Sequence, residues 1–92
     1  MRESKIEKEV CKYAESKGFL VYKFVSPGRT GVPDRICVDN VGRTFYVEFK
    51  QGDGRLSPMQ VREIKRLRDN GAMVFVVNNV DYGKGVIDGF VE

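Results

Sequence analysis

The chain contains no histidine. That absence removes imidazole acid–base chemistry, every triad built on histidine and all histidine-bearing metal sites. Cysteine is nearly as scarce. Cys11 and Cys37 are too few and too unpatterned for a disulfide scaffold or a thiolate metal site, and each sits among apolar neighbours as a small hydrophobe. No apolar run approaches the ~18 residues of a membrane span, and the opening Met-Arg-Glu-Ser-Lys lacks the apolar core of a signal peptide. A soluble, reducing compartment is therefore expected. Repeats, low-complexity tracts and linkers are absent too, so residues 1–92 read as one domain. Chemistry is left to carboxylates, lysine and tyrosine.

The 92 residues are 41% hydrophobic and 32% charged, with 16 Lys+Arg against 13 Asp+Glu. A chain of this length folds as one thin-cored domain, burying about 60–65% of its extended surface. Residues 4–17 predict a helix: Ser4 and Glu7 fit a capping box, Gly18 follows as a C′ residue, and Ile6, Val10, Tyr13 and Ala14 form one stripe opposite Lys5, Lys8 and Lys12. Glu7 lies at the edge of that apolar stripe. Residues 19–25 predict a strand, followed by a turn-rich loop, Ser26 to Pro33, with Arg29 at its middle.

Residues 34–39 and 43–50 predict two strands joined by Asn40-Val41-Gly42, a three-residue connection closing on a left-handed glycine. If Asp39 faces Arg43, the same register sets Asp34 directly opposite Glu48, with Cβ atoms roughly 4.5–5.5 Å apart. Glu48 and Lys50 share one face of the second strand, and Phe45, Val47 and Phe49 share the other. Two facing carboxylates repel, so such a pair calls for a positive partner. Lys50 is one candidate. A hard divalent cation is the better one, and Mg²⁺ or Mn²⁺ takes few carboxylates alongside water and phosphate oxygens.

Ser57-Pro58-Met59-Gln60 opens a second helix with an N-cap serine, proline at the first position and glutamine at N3. Gln60, Ile64 and Leu67 point inward, while Arg62, Lys65, Arg66 and Arg68 line the outer and flanking faces. Ala72 to Asn78 is a continuous apolar run, typical of a strand covered on both faces. The glycines at 83, 85 and 89 leave only a weakly specified short helix near Val86–Phe90. The element order is α-β-β-β-α-β.

Gly31-Val32-Pro33-Asp34-Arg35, then Tyr46-Val47-Glu48-Phe49-Lys50, then Leu56-Ser57-Pro58-Met59-Gln60 resemble the PD-(D/E)xK nuclease superfamily, and within it the VRR-NUC group. The resemblance runs from the first helix to the strand at 72–78. It implies an α/β restriction-endonuclease-like core, a central mixed β-sheet flanked by helices. It also implies a metal-dependent endonuclease hydrolysing DNA phosphodiester bonds, selective for branched DNA such as four-way junctions and acting as a homodimer in a bacterial or phage-infected cytoplasm. By the same resemblance Asp34 and Glu48 bind Mg²⁺ or Mn²⁺ with the Phe49 backbone carbonyl. Lys50 orients and helps deprotonate the attacking water or stabilises the pentacovalent phosphate, Gln60 positions substrate or metal-bound water, and Glu7 reaches the metal through water. Glu7 and Gln60 each have a plainer role open to them, closing capping boxes with Ser4 and Ser57.

Ser26, Arg29, Arg35 and Arg55, with Arg62 and Lys65 on the second helix, are the candidate nucleic-acid contacts. No membrane and no organic cofactor are expected. A non-catalytic nucleic-acid-binding module or nuclease-derived accessory subunit is the competing class. A metabolite-binding protein has little behind it, since Gly28-x-x-Gly31 follows a strand but leads into another strand rather than a helix.

Overall fold

Ile6, Val10 and Ala14 recur at helical spacing and are buried along α1 (Glu3–Ser16) of the computed structural model, which describes residues 1–92. The helix starts one residue earlier than expected, and the Ser4–Glu7 capping box is not formed. Arg2 occupies the N-cap without a side-chain bond, and its carbonyl takes the amides of Lys5 and Ile6. Glu7 is thereby free to bond elsewhere.

Four strands follow the expected order: β1 (Leu20–Lys23), β2 (Arg35–Val38), β3 (Thr44–Phe49) and β4 (Met73–Val77). They stand side by side as β1-β2-β3-β4, with the first three antiparallel and β4 parallel to β3. The crossover between β3 and β4 carries α2 (Pro58–Asp69), as a parallel connection requires. The strand expected over 19–25 is shorter at both ends, and Asp34 lies one position before β2.

The hairpin register is the one expected. Val38 pairs with Thr44 and Arg35 with Val47, so one further step sets Asp34 against Glu48. Asp39 locks the turn by accepting from the amides of Val41 and Arg43 and from Arg43 Nε. Gly42 supplies the positive φ of 88° that the turn needs.

Phe45, Val47 and Phe49 face α1 and form the core with Val77, Phe19 and Ile87. Phe45 sits at its centre, stacked on Phe90 at 4.2 Å between ring centroids and edge-on to Phe19 and Phe75. Burial pushes the Cys11 thiol up to about 11 and the Cys37 thiol up to about 12, as befits unreactive packing residues. α2 covers the opposite face beside β4, where Val74 is buried. It does not extend over β1 and β2. On that uncovered half Leu20 and Tyr22 are each 54% exposed.

The C-terminal helix departs most from expectation. α3 runs over Val80–Asp88, beginning six residues and ending two residues before the expected Val86–Phe90, capped by Asn79 accepting from the Tyr82 amide. Its glycines do not break it, because Gly83 lets α3 lie directly on α1. Tyr13 ties the two helices by donating its hydroxyl to Asp88 at 2.6 Å. No helix is long and apolar enough to cross a membrane.

Candidate active site

Strand alternation that sends Phe45, Val47 and Phe49 into one core leaves Glu48 and Lys50 on the other side of the sheet, under the first turn of α2. There the Glu48 carboxylate is only 2% exposed. Its Oε2 accepts from Gln60 Nε2 at 3.0 Å and lies 3.9 Å from Lys50 Nζ. Its Oε1 is buried with no hydrogen-bond partner, the one such side-chain atom in the molecule. A buried carboxylate oxygen left this way costs free energy unless something positive meets it.

Asp34 approaches from the end of the loop just before β2 and accepts from the Phe49 amide at 2.8 Å through Oδ2. Burial pushes its carboxyl above the usual range, despite that bond. Burial, then the charge of Asp34, pushes Glu48 up to about 7. Two carboxylates that resist ionising together, one with an unpaired oxygen, make a donor set that suits a small hard cation. No three Cys, Asp or Glu side chains gather into a ready-made cage. Two carboxylates and a backbone carbonyl are nonetheless sufficient for Mg²⁺ or Mn²⁺, which complete their shells with water and phosphate.

Gln60 unites two roles that the sequence left as alternatives. Its backbone amide bonds Ser57 Oγ and its Oε1 accepts from the Ser57 amide, completing the capping box. Its remaining Nε2 is spent on Glu48. The helix cap therefore fixes the orientation of the carboxamide that holds Glu48. Ser57→Ala should cost about 1 kcal/mol of stability in a denaturant melt, with cleavage reduced several-fold but not abolished.

Glu7 reaches Arg35, accepting from its Nε at 2.7 Å, with both side chains about a fifth exposed (20% and 22%). The negative charge of Glu7 is felt at both Asp34 and Glu48. Arg35, expected among the nucleic-acid contacts, is instead held beneath α1 by this ion pair, because its place opposite Val47 turns it to the core side of the sheet. Arg29 bonds Glu63, and Lys65 pairs with Asp69 at 2.7 Å. Arg55 and Arg62 are exposed, and Ser26 is half-buried in the loop that carries Arg29.

Glu63 escaped the sequence reading. It is an acid with arginine and lysine close on both sides, three residues after Gln60 on α2, and that spacing sets it on the same inward side. A charge pattern broken at one inward position was the available signal.

A VRR-NUC domain family model matches residues 10–81. A protein of Acyrthosiphon pisum secondary endosymbiont phage 1, named "Putative nuclease p44", is 41% identical over 81 residues, covering 88% of this chain and 87% of its own. A solved structure described as a VRR-NUC domain is 32% identical and superposes with a TM-score of 0.87 over 96% of each chain. The match takes in β2, β3 and α2, which bring Asp34, Glu48, Lys50 and Gln60 together, and the chain belongs to the VRR-NUC nuclease family.

Proposed function

We propose that this nuclease is a metal-dependent endonuclease hydrolysing DNA phosphodiester bonds with the site around Glu48. The observation that carries the reading is the buried Glu48 Oε1 without a partner, in a carboxylate held on its other oxygen by Gln60 and Lys50 and set beside Asp34. Asp34, Glu48 and the Phe49 carbonyl would hold Mg²⁺ or Mn²⁺. When bound, that ion supplies charge neutralisation at the phosphate and makes water a stronger nucleophile.

The protein's own groups do the rest. The Phe49 amide fixes Asp34, and Gln60 fixes Glu48, so neither carboxylate needs to reorganise as substrate arrives. Lys50, 19% exposed at its side chain, adds a positive charge beside the phosphate and orients the attacking water with its N–H groups. Glu7, steadied by Arg35 at the α1 side of the site, would contact the ion through water. Net hydrolysis places a hydroxyl on phosphorus and a proton on the departing oxygen. Ser26, Arg29, Arg55, Arg62 and Lys65 contact phosphates of the bound strand.

The substrate is branched DNA such as a four-way junction, and the enzyme works as a homodimer, with two sites addressing two strands. The uncovered half of the sheet supports the dimer. Leu20 and Tyr22 on β1 are exposed, with the half-buried Ile36 and Val38 beside them, and α2 does not reach over this apolar face. Light scattering at micromolar concentration should give a dimer, and Tyr22→Glu should shift it to monomer and lower junction cleavage at least 10-fold. A wild-type monomer would remove the two-site arrangement. The activity itself is tested by incubating the protein with labelled linear, nicked, flap and four-way-junction DNA, with Mg²⁺, Mn²⁺ or chelator. Binding without cleavage under all conditions would point to a nucleic-acid-binding module instead.

A further inference from the structure

Arg29 stands in the loop that leads into Asp34. A solvated arginine in such a loop would lose rotamer freedom on every encounter with a phosphate. Here it is held. Its Nη1 donates to Glu63 Oε1 at 3.2 Å, and Arg66 Nε lies 3.6 Å from the same oxygen. The Glu63 side chain is 9% exposed, whereas Arg29 remains 47% exposed. The loop is also seated on the start of α2. Gly31 has φ +85°, and a Cβ there would lie 2.6 Å from the Met59 carbonyl oxygen and 3.2 Å from the Gln60 nitrogen. Loop and helix thus touch beside the residue that fixes Glu48. Gln60 and Glu63, three residues apart, are the inward polar pair of α2: one holds a carboxylate of the site, the other an arginine of the loop.

We infer that Glu63 is a positioning residue, which aims the Arg29 guanidinium at a phosphate of the bound strand next to the one being cleaved. The inference rests on the nuclease reading above. A carboxylate facing a nucleic acid would by charge alone weaken binding. Between two arginines it leaves a net positive group whose geometry is fixed, with the outward N–H donors of Arg29 available to phosphate oxygens. Glu63 therefore gives up some electrostatic affinity and gains placement of the substrate, which shows in turnover rather than in binding.

Glu63→Gln, Arg29→Ala and the double variant separate this role from a structural one. Each is measured for kcat and KM on labelled DNA with Mn²⁺, after its melting temperature has been checked. The expected result for Glu63→Gln is a kcat about 10-fold lower with KM unchanged or lower, since a positive charge is unmasked while its aim is lost. Arg29→Ala should lower kcat at least as much, raise KM and lower the salt dependence of binding by about one phosphate contact. The double variant should be no slower than Arg29→Ala alone, because both changes remove one arrangement. A kcat within two-fold of wild type for Glu63→Gln, or losses that multiply in the double variant, would overturn the inference. A nitrogen-15 relaxation measurement on the Arg29 guanidinium needs no activity. It should report a rigid group that becomes mobile in Glu63→Gln, and an equally rigid group in that variant would overturn the positioning role even if the nuclease reading had already failed.

Discussion

Glu48→Gln should abolish cleavage, by at least 10³-fold, and at the same time raise the melting temperature of the metal-free protein above pH 7. The two effects have one cause. In the metal-free protein Glu48 is buried, its Oε1 is unpaired and Asp34 lies opposite, so ionising it is unfavourable and its pKa stands at about 7 against 4.5. Between those values the folded chain binds more protons at this site than the unfolded chain, and stability falls as pH rises through the window. The glutamine variant has no proton to lose there. Its amide oxygen can still accept the bond from Gln60, and the charge opposite Asp34 is gone. The expected gain is about 2 kcal/mol at pH 8, or roughly 10 °C in a domain of this size. Adding Mn²⁺ should stabilise the wild type and leave the variant unmoved. Melting curves of both proteins at pH 5 and pH 8, with and without the ion, read all of this. A variant less stable than wild type at pH 8 without metal would mean that Glu48 is a structural carboxylate.

Gly83→Ala should destabilise the fold although it lies away from the site and adds a single methyl group. An alanine Cβ would lie 2.4 Å from Val10 Cγ2 and 3.0 Å from Val77 Cγ1, at the contact between α3, α1 and β4. Helix propensity favours alanine by about 1 kcal/mol. Overpacking in a dense core costs typically about 1–3 kcal/mol and has no slack here, because both neighbours are β-branched and fully buried. The clash decides the sign. A net loss of about 2 kcal/mol, or roughly 10 °C in melting temperature, is expected. Val10→Ala should cost stability alone yet recover part of the loss in the Gly83→Ala background, since it removes both γ-carbons from the contact. If Gly83→Ala melts at or above wild type, α3 does not sit on α1 as described.

The site was more legible in the sequence than the packing around it. The turn at Asn40-Val41-Gly42 set the register of β2 and β3, and period-two alternation then sorted Glu48 from Phe49; both are local rules. Ser57 and Gln60 announced the start of α2 by their spacing. α3 was placed too late because its glycines read as breaks, and only the approach of Val10, distant in the chain, explains Gly83. The Glu7–Arg35 pair was hidden for the same kind of reason: with Arg2 as the N-cap, Glu7 turns to an arginine reached only through the folded sheet. The Glu63–Arg29 pair likewise joins a loop to a helix 34 residues on. Contacts within one element or one hairpin were readable, and contacts between layers were not.

We propose that Asp34 and Glu48 form a cation site at which phosphodiester bonds are cut. It is tested most directly by following a labelled four-way DNA junction with wild type and Glu48→Gln, in Mg²⁺ or Mn²⁺ and in excess chelator. The wild type should cleave with either metal and not in chelator, and the variant should not cleave although it still binds the junction. Cleavage in chelator, or by Glu48→Gln at the wild-type rate, would contradict it.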